Sequence, residues 1–287
     1  MPRQIYTAEY RIDTLPHTLR AMARGMLQSR YLGYRLAVRS IKGRYAKSAF
    51  GMFWDLIDPL ILGLIFYALM QARVIQPGDM GMPYALFVIY GLFLYATFTE
   101  ALMEAVEVFG RSRGLLTQQK IPPEALLTAI FFSVGFNGLF RLAVMAGFSV
   151  VLQGAAAEQG QSALSVPGLL AFFALSPLII FAGVSIGLFL APFNAIYSDV
   201  GRVTRIVLTP LRYISPVLWP IPATGVIGLL NYCNPLSSLI GDLRLLAVSG
   251  SMAAPGLFLA WCAALSALFL VAWFVFHLAV PVLAERA

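Results

Sequence analysis

The hydrophobic pattern changes character once along the chain. Through the first fifty residues apolar and basic positions alternate, whereas beyond Gly51 the apolar residues run together into long segments. A helix crossing a hydrocarbon layer ~30 Å thick needs about 20 mostly apolar residues. Five segments meet that length, at 51–71, 84–106, 125–152, 168–193 and 255–280. A sixth, 203–220 (VTRIVLTPLRYISPVLWP), contains Arg205, Pro210, Arg212 and Pro216 and is predicted as a broken or tilted span. Such breaks persist at membrane depth only where protein or a water-lined cavity covers the freed backbone groups. Between 221 and 240 the apolar residues are interrupted by Pro222, Gly225, Gly228 and Pro235. That spacing predicts two short re-entrant pieces rather than a seventh span.

Ahead of the first span, Leu32, Leu36 and Ile41 alternate with Arg35, Arg39 and Lys42 in near-helical register. This predicts an amphipathic helix lying in the membrane interface, its bases among anionic head groups. Trp54 follows as an interfacial anchor. The organisation predicted is a cytoplasmic N-terminus with the interface helix (1–50) and a transmembrane domain (51–287).

Composition reinforces the pattern. Sixty per cent of residues are hydrophobic, 11% are charged, and mean hydropathy is +0.81. Soluble domains carry about 25% charged residues, so the chain is an all-α, multi-pass membrane protein. The net charge is +7, but ten of the twenty basic residues precede Phe50. That placement is a topology signal rather than a nucleic-acid-binding surface. With the N-terminus in the cytoplasm, the loops at 107–124 and 194–205 hold Arg111, Arg113, Lys120, Arg202 and Arg205. The alternate loops hold Arg73 or no base at all. Six spans with both termini inside satisfy the positive-inside rule. The opening residues lack the short apolar core of a cleavable signal peptide, and none is expected.

Several chemistries lack their residues. The sequence has no Gly-Lys dipeptide and hence no P-loop. His17 and His277 are isolated, and Cys233 and Cys262 are far apart, so neither a metal site nor a disulfide framework is predicted. No catalytic residue and no cofactor is assigned to this chain.

Six blocks carry a family resemblance: SIKGRYAKSAFGMFWDLIDP, YALFVIYGLFLYATFTEAL, SRGLLTQQKIPPEALL, NAIYSDVGRV, RYISPVLWPIP and NPLSSLIGDLRLL. Together and in this order they resemble type-2 ABC-transporter permeases of the polysaccharide-export branch. Through Pro210-Leu211-x-Tyr213-Ile214-Ser215 they are nearest to capsule exporters. The resemblance implies a homodimer of six-span subunits in a bacterial inner membrane. It also implies two copies of a separate cytoplasmic ATPase that binds ATP and magnesium, and a lipid-linked polysaccharide as cargo. Periplasmic or outer-membrane export partners are implied as well. Ile121 replaces the family's aromatic residue before Pro122, and Tyr197-Ser198-Asp199 replaces its Tyr-Arg-Asp.

The candidate sites follow from both readings. In this family the loop 107–124 docks into the ATPase, and Arg111, Arg113, Leu115, Leu116 and Lys120 are its predicted coupling residues. Glu100, Glu104 and Glu107 fall at i, i+4 and i+7, on one helical face. They either form the lip of a cytoplasmic funnel or pair with bases of the interface helix or coupling loop. Arg141 and Arg212 lie within spans, where ionisable groups mark functional sites. Arg141 is read either as a contact to a lipid-linked phosphate or acidic sugar, or as the buried partner of a carboxylate. Of the aromatics in the second span, Tyr90 and Tyr95 are candidate channel contacts, since rings give a sugar's C–H faces a sliding surface; the alternative is packing. Gly183 and Gly187 form a G-x-x-x-G predicted to pack within the subunit.

Export of a lipid-anchored polysaccharide is therefore the leading function. A drug, lipid or teichoic-acid exporter keeps the class and changes the cargo. A membrane-embedded enzyme of lipid or glycan metabolism is weakened by the missing acid–base and metal constellations.

Overall fold

The computed structural model describes residues 15–76, 82–118, 121–158, 165–220 and 225–286. Every element in them is helical, and among the described residues there is no strand. In chain order these are α1 (Leu15–Tyr45), α2 (Trp54–Gln71), α3 (Tyr84–Val106), α4 (Val108–Gln118), α5 (Pro123–Glu158) and α6 (Val166–Leu175). They continue with α7 (Pro177–Ile196), α8 (Asp199–Ile214), α9 (Gly225–Tyr232), α10 (Pro235–Ser249) and α11 (Pro255–Arg286). Among the described residues five helical segments are long and apolar enough to cross a membrane, at Gly51–Gln71, Tyr84–Val106, Pro123–Val151, Val166–Ile196 and Pro255–Val280.

The central helix is α3. Eighteen of its residues are buried, against three in α2. Its contact with α7 is made by the G-x-x-x-G, which packs within the subunit as predicted and takes α3 as its partner. A Cβ on Gly183 would lie 2.6 Å from Phe98 O, and one on Gly187 would lie 2.3 Å from Leu102 O. Only glycine permits that backbone approach. Pro177 separates α6 from α7, because it lacks the N–H that would continue the hydrogen-bond ladder; one span is thus built from two helices. Helix α10 is bounded by local chemistry: the Asn234 side chain accepts from Leu236 N at 3.0 Å, Pro235 opens the first turn, and Gly250 ends it at φ 73°.

Two expectations are revised. The predicted span 203–220 is instead a 16-residue amphipathic helix, α8, followed by turns through Ser215–Trp219, and it is not among the long apolar segments. Val203, Ile206, Val207 and Ile214 are exposed on the side opposite Arg205, Thr209 and Arg212, while Leu208 and Leu211 pack on the core. It runs antiparallel beside α3, with Arg205 paired to Glu107, Tyr95 bonded to Leu208 O, and Val217 O closest to Gly91. Beyond it, α9 and α10 are the two short helices predicted after Pro220, with 221–224 outside the described residues.

The second revision concerns α1. Besides the interfacial residues read from the sequence, α1 has a buried stripe of Thr18, Met22, Ser29 and Ala37, with Gly25 and Gly33, and Leu36 packs on the core as well. Leu32 is exposed, and Leu36 and Ile41 are half-buried. This face of small residues lies along the first turns of α5. A Cβ on Gly33 would sit 2.0 Å from Thr128 Oγ1, and Gly25 faces the Glu124 carboxylate. The helix is docked on its neighbour rather than free, because small residues let two backbones close to near contact.

Candidate functional site

One end of the bundle gathers the charges. It is formed by the C-terminal ends of α1, α3, α7 and α11, by α4, and by the N-terminal parts of α5 and α8. Glu100 and Glu104 project from the last turns of α3, and Glu107 from the turn that leads into α4. Four arginines from four different helices meet them. Arg44 of α1 donates to Glu100 Oε1 at 2.7 Å and also reaches Glu104. Arg111 of α4 contacts Glu104 at 2.5 Å and Glu107 at 2.7 Å. Arg141 of α5 donates to Glu100 Oε2 at 2.7 Å, and Arg205 of α8 pairs with Glu107. Asn137 Nδ2 adds a 2.6 Å bond to Glu100.

The carboxylate face predicted on α3 is therefore the seam that binds α1, α4, α5 and α8 together. Of the readings left open, pairing is the one these contacts match, and the pairing includes both the N-terminal helix and α4. Arg141, open to two readings, lies here as the buried partner of Glu100, with a second bond of 3.3 Å to Thr97 Oγ1. Burial, the largest single influence on Arg44, pulls its pKa down; Glu104 and Glu100 more than offset it, and the net shift is upward. Next to it, burial and a 2.5 Å bond to Asp55 push Tyr45 up to about 12.

Beside this seam lies a cavity of about 510 Å³ between the start of α2, the last turns of α3, and α8. Arg44, Arg111, Arg141, Arg205 and Arg212 all line it, as do Asp55 and Asp58. Arg212 differs from the other four. No ion pair engages it among the described residues; its guanidinium lies 5.4 Å from the Tyr95 ring centre, and its Nε is buried without an acceptor. The Nε of Arg141 is buried and unbonded as well. With Glu100 and Glu104 also on its wall, the cavity sets five arginines against four carboxylates, and the one positive charge in excess suits a small anion with acceptor oxygens.

The remaining predicted site residues are distributed differently. Tyr90 is fully buried, stacked at 4.7 Å on Phe172. Ser149 donates to Met145 O at 2.7 Å and therefore accepts from Tyr90 Oη at 2.5 Å. Tyr95 is buried too, its hydroxyl donating to Leu208 O, though its ring borders the arginine-lined cavity. Within one subunit both are packing residues, because their rings are held between helices rather than on an open wall.

The predicted coupling loop is helix α4. Leu116 is buried with Val108, Phe109 and Ile121 in the subunit's own core, and Leu115 is half-buried against that cluster. The exposed face of α4 presents Gly110, Arg111, Arg113 and Gly114. Lys120 lies outside the described residues.

Two anchoring side chains went unread in the sequence. Asn194 donates to Val106 O at 3.0 Å and accepts from Gly201 N at 2.8 Å, tying the α7–α8 turn to the end of α3. Asp242, buried on α10, accepts from Ala253 N at 2.9 Å and Ala254 N at 3.2 Å, satisfying backbone donors ahead of α11. Both lie inside helices, Asn194 in the last turn of α7 and Asp242 in the middle of α10, and their partners lie beyond those helices.

Comparison with known proteins gives this architecture its lineage. Residues 32–248 match the family described as ABC-2 type transporter. The chain is 24% identical over 226 residues to the O-antigen export system permease protein RfbA of Myxococcus xanthus, covering 76% of this chain and 81% of that protein. It is likewise 24% identical over 219 residues to the Klebsiella pneumoniae protein of the same name, covering 74% and 78%. With a matched region spanning the seam, the arginine-lined cavity and α8 to α10, the chain belongs to the ABC-2 type transporter family of membrane permeases.

Proposed function

We propose that this chain is the membrane-spanning subunit of an ATP-driven exporter of a lipid-linked polysaccharide, a capsule or O-antigen chain. It works as a homodimer in a bacterial inner membrane, with two copies of a cytoplasmic ATPase that carry the ATP and magnesium. The chain comprises an N-terminal segment (1–50) and a transmembrane domain (51–287), with both termini in the cytoplasm. Six passages are completed when the broken segment 203–220, whose helical part is α8, counts as the fifth, with α9 and α10 as short re-entrant pieces after it. The loop 107–124 meets the ATPase through the exposed face of α4, Arg111 and Arg113 with Leu115 at its edge, while Leu116 supports that face from the core. Periplasmic export partners receive the polymer beyond the far end.

The observation that carries this reading is the arginine-lined cavity, together with relatives named as O-antigen export permeases. A polymer joined to its lipid through phosphate presents several acceptor oxygens on a small anion. Arg212 is the cation available to it, while Arg141, fixed by Glu100, lines the same space. Arginine's fork of donors suits phosphate. The anchor binds here and the sugar chain follows through the space between subunits, where the exposed apolar faces of α2 and α8 face their counterparts.

Depletion of the chain in its native host, followed by fractionation of the glycan, tests the cargo. Polymer retained in the cytoplasm with none at the surface supports the reading. Unchanged surface glycan removes the polysaccharide and leaves a drug, lipid or teichoic-acid cargo to be tried. An Arg212→Ala chain that assembles normally is expected to lose export, with Arg212→Lys retaining part of it. Full export by Arg212→Ala sinks the anchor site.

A further inference from the structure

A second cavity, of about 500 Å³, opens between α1, α4 and α5. It is separate from the arginine-lined cavity just described, and Glu104 with Arg111 forms the partition, since both border each space. Its walls have two characters. Leu36, Val108, Leu126 and Ile130 give an apolar side, while Arg39, Ser40 and Ser112 give a polar one.

Two features point to an occupant. Arg39 is exposed and no ion pair engages it among the described residues, whereas Arg111 and Glu104 on the opposite wall are committed to the charged seam. Ser133, only 2% exposed and part of the lining, has a hydroxyl buried without a hydrogen-bond partner. A buried hydroxyl left unbonded is unfavourable, and together with an unpaired guanidinium it forms a small site for an anion. There is room for one: a Cβ added at Gly43, on the rim, meets no atom within 4 Å.

We infer that this cavity holds a resident anionic phospholipid, its phosphate on Arg39 and the serine hydroxyls and one acyl chain along Leu36 and Ile130. The local charge supports a singly charged phosphodiester: Arg39 and Arg111 against Glu104 leave one positive charge. The apolar side of the wall supports an amphiphile over a free ion. Cationic clusters at the membrane surface recruit anionic lipid in the same way. Seated there, the lipid wedges α1 and α4 apart, so that its presence sets how far the helix expected to meet the ATPase stands from the bundle. Nothing in this site depends on the identity of the cargo.

The test uses the full chain, delipidated in detergent, with thermal stability and native mass spectrometry as readouts. Phosphatidylglycerol, phosphatidylcholine and inorganic phosphate are added separately. Phosphatidylglycerol is expected to raise the midpoint and to remain bound, at least about tenfold tighter than phosphatidylcholine, the value of one charge-assisted contact. Arg39→Ala is expected to remove that preference, and Arg24→Ala, on the same helix but away from the cavity, to keep it. Gly43→Leu favours the helix while projecting into the space, so it is expected to fold and to exclude the lipid. Ser133→Ala serves as a milder second variant that weakens retention. Equal binding of the two lipids overturns the inference, as does a phosphatidylglycerol preference that survives Arg39→Ala and Gly43→Leu. Stabilisation by inorganic phosphate alone, lost in Arg39→Ala, removes the lipid and assigns the cavity to a soluble phosphate.

Discussion

Replacing Glu100 by leucine removes the carboxylate of the charged seam that receives three side chains, those of Arg44, Asn137 and Arg141. Glu100 receives Arg141 and Arg44, each at 2.7 Å, and Asn137 at 2.6 Å. Its side chain is 12% exposed and that of Arg141 is 7% exposed, so their pairing is close to the fully buried case. Removing one member of such a pair costs about 3–5 kcal/mol, because the other charge is left without a counter-ion in a poorly solvated place. Arg44 contributes little to this loss. It is 28% exposed and still holds Glu104, so its share is under about 1 kcal/mol. Glu100→Leu is therefore expected to lose roughly 3 kcal/mol, and Arg141→Leu a similar amount. The double variant, which removes both charges and fills the space with apolar groups, is expected to lose less than either single one. A coupling energy above about 2 kcal/mol is the signature of the pair. Reversible unfolding of the purified chain in mixed micelles measures all four proteins. Additive losses, or a single loss below about 1 kcal/mol, would refute the claim that this pair holds α3 to α5.

Other consequences are read in the same way. Gly33→Leu on α1 drives a side chain into Thr128 and the Ala125 carbonyl, and is expected to cost about 1–3 kcal/mol and release α1 to proteolysis. Gly183→Leu is expected to abolish assembly by forcing α7 from the Phe98 carbonyl, whereas Gly135→Ala, which meets nothing within 4 Å, is expected to leave yield in detergent unchanged. Tyr45 titrates at about 12 in the folded chain, above the ordinary value of 10.0, so the neutral form is the one that folding favours. Its contribution is complete below pH 10.0 and lost as pH rises through about 12; Tyr45→Phe should remove both that loss and the late tyrosinate absorbance. Leu116→Asp is expected to lower folding yield because the residue is buried. Leu115→Asp is expected to fold and to uncouple stimulated ATP hydrolysis from export, and normal export by that variant would remove Leu115 from the contact.

The long apolar spans, the two short helices after Pro220 and a close-packing glycine pair on α7 were legible along the chain. Each depends on properties local to one segment: a run of about 20 apolar residues, a proline or glycine break, or a glycine pair one turn apart. Boundaries followed local chemistry too, as Asn234-Pro235 and Gly250 show for α10. The family resemblance was likewise carried by short blocks in order, and the match over residues 32–248 agrees with it.

Pairing across the fold was decided elsewhere. The i, i+4, i+7 face of Glu100, Glu104 and Glu107 was visible, but its partners come from α1, α4, α5 and α8, and Arg44 and Arg205 lie 56 and 98 positions away from the carboxylates they meet. Helical periodicity says which side of a helix a charge occupies and nothing about which helix will face it. The docking face of α1 escaped for a related reason. Gly25, Ser29, Gly33 and Ala37 weigh little on a hydrophobic scale beside Leu32 and Leu36, yet small side chains are what allow two backbones to touch. Residue type alone determined that this chain enters a membrane many times; only the close packing of helices against one another decided which of its charges are joined and which, like Arg212, are left to meet something else.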